Sequence, residues 1–197
     1  LKLLKVESLN NLKEVLKYKD LVTTMHSSQV TLMNLFDSNQ DTLSERYLSK
    51  IIIEVVNSTF SFDYENSTLS ELKNSGELKN VRNDSLRKYL TALEPRVLKI
   101  KQQEQNVEDR HGEFTEYLKP RISYRKLFIE TDSETLFGIS NSTKPRKSNI
   151  AILKDEEFEN RLLTYTLSTQ NLIENHYPKL ENHLKKIIDS IEKELNK

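Results

Sequence analysis

Apolar positions recur along this chain at alternating intervals of three and four residues, the spacing that puts side chains on one stripe of an α-helix. Val15, Tyr18, Val22, Met25, Gln29, Leu32 and Phe36 form the first stripe and predict a long helix over 1–36, broken by Asp37, Ser38 and Asn39. Thr42-Leu-Ser-Glu45 reads as a capping box. It opens a second helix over 42–57 that carries Ile51, Ile52, Ile53, Val55 and Val56. The most regular seam is Leu86, Leu90, Leu93, Val97, Ile100, Glu104, Val107, His111, Phe114 and Leu118, which predicts a helix over 84–119. Pro95 lies inside it, removes one backbone hydrogen bond and predicts a kink near residues 91–95. Pro120 should end it. The last seam, Ile173, Tyr177, Leu180, Leu184, Ile187, Ile191 and Leu195, belongs to a helix over 155–195 that Pro178 should bend or split. Seams this regular favour antiparallel neighbours crossing at about 20°.

Residues 120–153 fit this scheme least, being too long for a plain loop. Asp132 to Gly138 has the residues for a capped helical turn. Ile122, Tyr124, Phe128 and Ile129 favour a strand, so a short strand pair of 122–129 with 150–153 is possible. The expected fold is all-α: an elongated antiparallel bundle of three long helices, with a broken fourth element made of 42–57 and 67–74. It forms one domain over 1–197, with 120–153 as an irregular insertion at one tip.

Residues 64–90 carry the densest local signals. Asn66, Ser67 and Thr68 offer capping oxygens, and Glu71 follows Thr68 by three, a second possible capping box. Leu69 and Leu72 give a short helix over 67–74 an apolar edge. Gly76 falls where a helix ends in the left-handed conformation. Asn83, Asp84 and Ser85 start the next helix. The pattern from Leu72 through Asn74-Ser75-Gly76 to Asn83-Asp84-Ser85-Leu86-Arg87 resembles a bacterial family known only as a domain of unknown function. A long closing helix opened by Lys154, Asp155, Glu156 and Phe158 is similar too. The resemblance is good over 64–90 and looser elsewhere. It implies an N-terminal membrane-spanning helix preceding residue 1, so that 1–36 continues an anchor, and a periplasmic position for the part seen here. It implies no chemistry.

Composition narrows the classes. Charged residues make up 30% of the 197, and there are only three glycines, which disfavours β-rich and nucleotide-binding folds. Thirty basic residues balance thirty acidic ones, and no basic stripe with interleaved aromatics appears, so no nucleic-acid partner is expected. Without cysteine there are no disulfides, zinc–thiolate sites or thiol nucleophiles. No run of about 18 apolar residues is present. The Asn-x-Ser/Thr triplets at Asn57, Asn66, Asn83 and Asn141 read as helix punctuation rather than glycosylation sites.

Candidate chemistry is sparse. His26, His111, His176 and His183 lack metal-ligand spacing, the glycines are too isolated to cradle phosphates, and no catalytic motif occurs. No cofactor, metal or enzymatic activity is expected. Gln29, Glu104 and His111 stand at seam positions where apolar residues belong. They either fix helix register or line a polar pocket that binds a ligand. Two basic clusters flank the long connection, Lys119, Arg121, Arg125 and Lys126 at its start and Lys144, Arg146 and Lys147 toward its end. They read as a solvated tip or, with Arg121, Arg125, Lys126 and Arg146 as its contacts, a docking surface for an acidic partner. The expected function is a binding or sensor-like module of a membrane-anchored protein with an unidentified protein partner. The alternative is a scaffold that mediates protein contacts or oligomerisation at the membrane. A pocket at the polar layer favours the first, and an apolar outer face the second.

Overall fold

The computed structural model describes residues 1–57, 60–133, 138 and 144–196, and every regular element in them is helical. The fold is an all-α helical bundle. In chain order it comprises α1 (Lys2–Asn34), α2 (Glu45–Val56), α3 (Ser67–Asn74), a 3-10 turn (Glu77–Asn80), α4 (Asp84–Leu118) and α5 (Tyr124–Glu130). A second 3-10 turn (Ile150–Lys154), α6 (Glu156–Asn171), a π turn (Leu172–His176) and α7 (Tyr177–Leu195) follow.

Most predicted elements are present, and the differences have local causes. The strand pair expected from 122–129 and 150–153 is instead α5 and a 3-10 turn. Ser123 caps α5 by accepting from the Lys126 amide, and Leu127 is buried, so a helical face serves where β-favouring side chains suggested a strand. The capped turn expected over Asp132–Gly138, and Asn141, lie largely or wholly outside the described residues. Helix α2 starts at Glu45 rather than 42: Ser44, not Thr42, accepts from the Tyr47 amide. Gly76 ends the α3 region at φ 74°, as its position suggested. Helix α4 runs unbroken through Pro95.

Near Pro178 the final helix divides. Tyr177 donates its N–H to the carbonyl of Leu172, five residues back, closing a π turn. In a regular helix the Pro178 ring would crowd the carbonyl four residues before it; the wider turn accommodates the ring. The extra residue shifts the seam, so Leu172 is fully buried and Ile173, expected there, is half-buried. Leu195, also expected in the seam, is exposed at the helix end.

The chain forms two compact units. The first comprises Leu1–Val22, Phe60–Gln105 and Asn171–Lys197. Within it α7 runs antiparallel to α1, as the ion pairs Lys5–Glu192 (2.8 Å) and Lys19–Glu181 (3.0 Å) show. It also runs antiparallel to α4, where Tyr177 meets Glu104 and His183 meets Tyr89. Leu86, Leu90, Leu93, Val97 and Ile100 of α4 are buried. The second unit comprises Thr23–Thr59 and Asn106–Gln170. There α2 packs on α5, and Phe158 of α6 lies against Phe36 and Phe114 with ring centroids 5.3 and 5.4 Å apart.

After Leu4, the buried face of α1 continues in polar residues. Glu7, Ser8 and Asn11 are buried ahead of Val15 and Val22. Glu7 accepts from the backbone amides of Thr68 (2.6 Å) and Leu69 (3.2 Å) and from the Ser67 hydroxyl (3.3 Å). It therefore caps α3 from another helix, and Asn66, at the N-cap position, makes no side-chain cap bond. A carboxylate at a helix N-terminus gains from the unpaired amides and from the helix dipole, so Glu7 displaces the local capping box expected from Thr68 and Glu71. Glu7→Ala is expected to cost about 1–2 kcal/mol, and Glu71→Ala under about 0.5 kcal/mol. Urea denaturation of the two variants checks this, and the reverse order would restore the local box.

Candidate functional site

Two of the polar seam residues, Glu104 and His111, bind backbone, and Gln29 binds a side chain. Glu104, 7% exposed, receives the Tyr177 hydroxyl at 2.9 Å and the Phe62 amide at 3.3 Å on one oxygen. Its other oxygen lies 3.4 Å from the Lys101 ammonium, which also donates to the Phe62 carbonyl. Both backbone groups of Phe62 are thus satisfied by one turn of α4, and the Phe62 ring is fully buried. Burial pushes the Glu104 carboxyl above its ordinary range, against the pull of Lys101, Tyr177 and the Phe62 amide. Tyr177 is pushed up as well, by burial first and then by the Glu104 charge. Asn11 treats the same link likewise: its amide donates to the Glu65 carbonyl (2.7 Å) and accepts from the Glu65 N–H (2.9 Å). An unpaired buried backbone group costs free energy, so a non-helical link over 60–66 needs these partners.

Gln29 and His111 belong to the second unit, Glu104 to the first. Gln29 is fully buried and donates to the Thr169 hydroxyl at 3.2 Å. The His111 ring lies 5.4 Å from that of Tyr165, whose hydroxyl points at the Met25 sulfur (3.4 Å). Burial pushes the Tyr165 hydroxyl up, and the Gln29 amide partly offsets this. Tyr165 thus stands between the two predicted residues. His111 Nε2 donates to the Val56 carbonyl at 2.8 Å, one of the orphan acceptors at the end of α2. Gln29 Oε1 is buried without a hydrogen-bond partner.

Asn149, which the sequence did not single out, works as Asn11 does. It accepts from the Ser123 amide (2.8 Å), donates to the Ser123 carbonyl (3.2 Å), and gives its own N–H to Glu45 (2.8 Å). An asparagine beside a basic cluster carries no sequence signal for this.

The basic cluster is partly committed within the protein. The Arg121 guanidinium lies 3.5 Å from the Tyr117 ring centroid and donates to the Tyr117 carbonyl, and Arg161 approaches the same ring at 4.9 Å. The Tyr117 hydroxyl donates to Asp155, the capping residue of α6. Lys126 pairs with Glu130 at 2.8 Å. Arg125 is half-buried, whereas Lys144, Arg146 and Lys147 are exposed.

A cleft of about 260 Å³ opens in the first unit between α4 and the π turn. Arg96 and Lys99 line it from α4, and Asn175, His176 and Lys179 from the other side. Ile100 and Leu180, both buried, form its apolar part. Burial, then Lys179 and Lys99, holds His176 below the ordinary histidine range. The sequence signal was two basic pairs spaced i,i+3, which is indistinct among thirty basic residues.

Among the described residues, no group of three or more His, Cys, Asp or Glu is placed to hold a metal ion, and no helix is long and apolar enough to cross a membrane. Fold and sites together define an all-α bundle in which several buried polar residues, Glu7, Asn11, Glu104 and Asn149 among them, are turned to its own backbone. No family model, curated protein or solved structure matches the chain.

Proposed function

We propose that this chain is a non-enzymatic binding module of a membrane-anchored bacterial protein. The observation that carries the reading is the cleft of the first unit, which gathers four basic side chains and no acidic one. Glu104 and His111, by contrast, have partners in the protein's own backbone, so the ligand site belongs to the cleft and not to the polar seam. The anchor and a periplasmic position rest on the resemblance of residues 64–90 and of the segment that opens the last helix.

A second reading, a scaffold with a protein partner, is favoured by α1. Leu3, Val6, Leu9, Leu16 and Leu21 are exposed on it, whereas α7 keeps its large apolar residues inside over most of its length. A helix with leucines beyond its buried stripe offers surface for a second contact.

Thermal denaturation of the purified chain against panels of small anions, cations and neutral solutes tests the first reading. A specific ligand at 100 times its Kd adds about 2.7 kcal/mol to stability. No shift from any class, together with self-association in sedimentation, would transfer the assignment to the scaffold. Recovery of the full-length protein in the soluble fraction without detergent would remove the anchor.

A further inference from the structure

We propose that the cleft between α4 and the π turn binds a small ligand through a phosphate group, a compact oxyanion carrying about two negative charges at neutral pH. The inference deepens the binding-module reading and rests on it.

Charge is the first argument. Acidic and basic residues balance overall, and several cations elsewhere in this unit have acidic partners, among them Lys5 with Glu192, Lys19 with Glu181, Lys73 with Glu94 and Lys101 with Glu104, whereas the cations of the cleft are gathered together. Among the described residues Arg96, Lys99 and Lys179 make no ion pair, and no carboxylate lines the cleft. Like charges gathered in one recess repel, and burial first, then Lys179 and Lys99, holds His176 toward its neutral form. An anion in the recess is attracted to each of these cations and offsets their mutual repulsion.

Geometry is the second. Arg96 and Lys99 are one helical turn apart on α4; His176 and Lys179 are one turn apart across the start of α7. The two pairs face each other across the space. Arg96 brings a planar fork suited to two oxygens of one phosphate, and the lysines bring point charges. Asn175 uses one amide hydrogen on Asn171 Oδ1 at 3.0 Å, which leaves its second for a ligand. The volume suits a phosphate with a small organic group, below the usual range for drug-sized ligands. Buried Ile100 and Leu180 exclude water on one side and strengthen the electrostatic terms.

Local backbone is the third. His176 ends the π turn that precedes Pro178, and π turns interrupt α-helices preferentially at functional sites. One extra residue changes the direction in which His176 and the residues around it face relative to α4.

Isothermal titration with inorganic phosphate, at ionic strength held constant with sodium chloride, tests the proposal. Saturable one-site binding is expected. Arg96→Gln and Lys99→Gln should each weaken it about tenfold or more, as loss of a charge-assisted contact does. Lys185→Gln, whose lysine pairs with Glu181, should leave it unchanged. Both cleft residues are exposed, so unchanged melting temperatures confirm that the variants fold. A parallel arm uses phosphatidylcholine vesicles with and without phosphatidic acid. Binding to free phosphate assigns a soluble ligand; binding to phosphatidic acid vesicles alone assigns a lipid headgroup. Binding to neither, or equal weakening by Lys185→Gln, overturns the site. If another solute class stabilises the protein while phosphate does not, the cleft's assignment falls and the binding module stands.

Discussion

Glu104→Ala is expected to destabilise the protein by roughly 3–5 kcal/mol, the range for removing one partner from a buried charged network. The substitution leaves the Phe62 amide and the Tyr177 hydroxyl without an acceptor, both in the core of the first unit. Glu104→Gln keeps an acceptor oxygen for those two donors and loses the Lys101 charge pairing, so about 1 kcal/mol is expected. Urea denaturation of both variants measures the difference. A small effect from the alanine variant would mean that Phe62 is not held from α4. The pH dependence carries an independent sign. The folded Glu104 carboxyl ionises above the ordinary value of 4.5, because burial penalises its charge. A raised carboxyl pKa means that the folded state holds its proton longer than the unfolded chain does. Wild type should therefore be most stable relative to Glu104→Gln at acid pH. It should lose ground as pH rises past about 4.5, until the folded carboxyl is also ionised.

Truncation along the α4 seam should have comparable weight. Leu93→Ala and Ile100→Ala remove side chains only 3% and 2% exposed, and each should cost roughly 2–5 kcal/mol. Leu98, between them in sequence, is 58% exposed, and Leu98→Ala should change stability by less than about 0.5 kcal/mol. Equal midpoint shifts at all three positions would show that α4 is rotated from the orientation described here.

The α4 seam was readable because helical spacing is a property of consecutive residues. Once Leu86 to Leu118 keep a three-four rhythm, the buried face follows, and every seam member is buried except His111, which is half-buried. Gln29, Glu104 and His111 could be marked as out of place for the same reason: each interrupts an apolar stripe. Their partners could not be named. Glu104 bonds to Phe62, 42 residues away, and His111 to Val56, 55 residues away.

Capping shows the same divide. Asn83 accepts from the Leu86 amide at 3.1 Å, a bond within one turn that the Asn-Asp-Ser run announces. The cap of α3 comes from Glu7, about 60 residues upstream, and no local pattern distinguishes it from the competing box at Thr68 and Glu71. The π turn lies between these cases. Pro178 marks a disruption of the last helix, but whether the helix breaks, bends or widens is set by the packing on either side.

The sequence by itself determined the all-α class, the long helices and the buried stripe of α4, because these depend on side-chain period, proline and glycine over a few residues; it did not determine α5, read as a strand, or the shift of the last seam at the π turn. Tertiary structure decided what the buried polar residues bind and where charge accumulates. Asn11 and Glu104 find their donor and acceptor roles only when a distant non-helical link is laid against them, and Glu7 only when the start of α3 is. Arg96, Lys99, His176 and Lys179 become one cleft only when α4 and α7 pack antiparallel around a π turn. Hydrogen bonds and Coulomb interactions act over a few ångströms in space whatever the separation in sequence, so local periodicity carries no record of them.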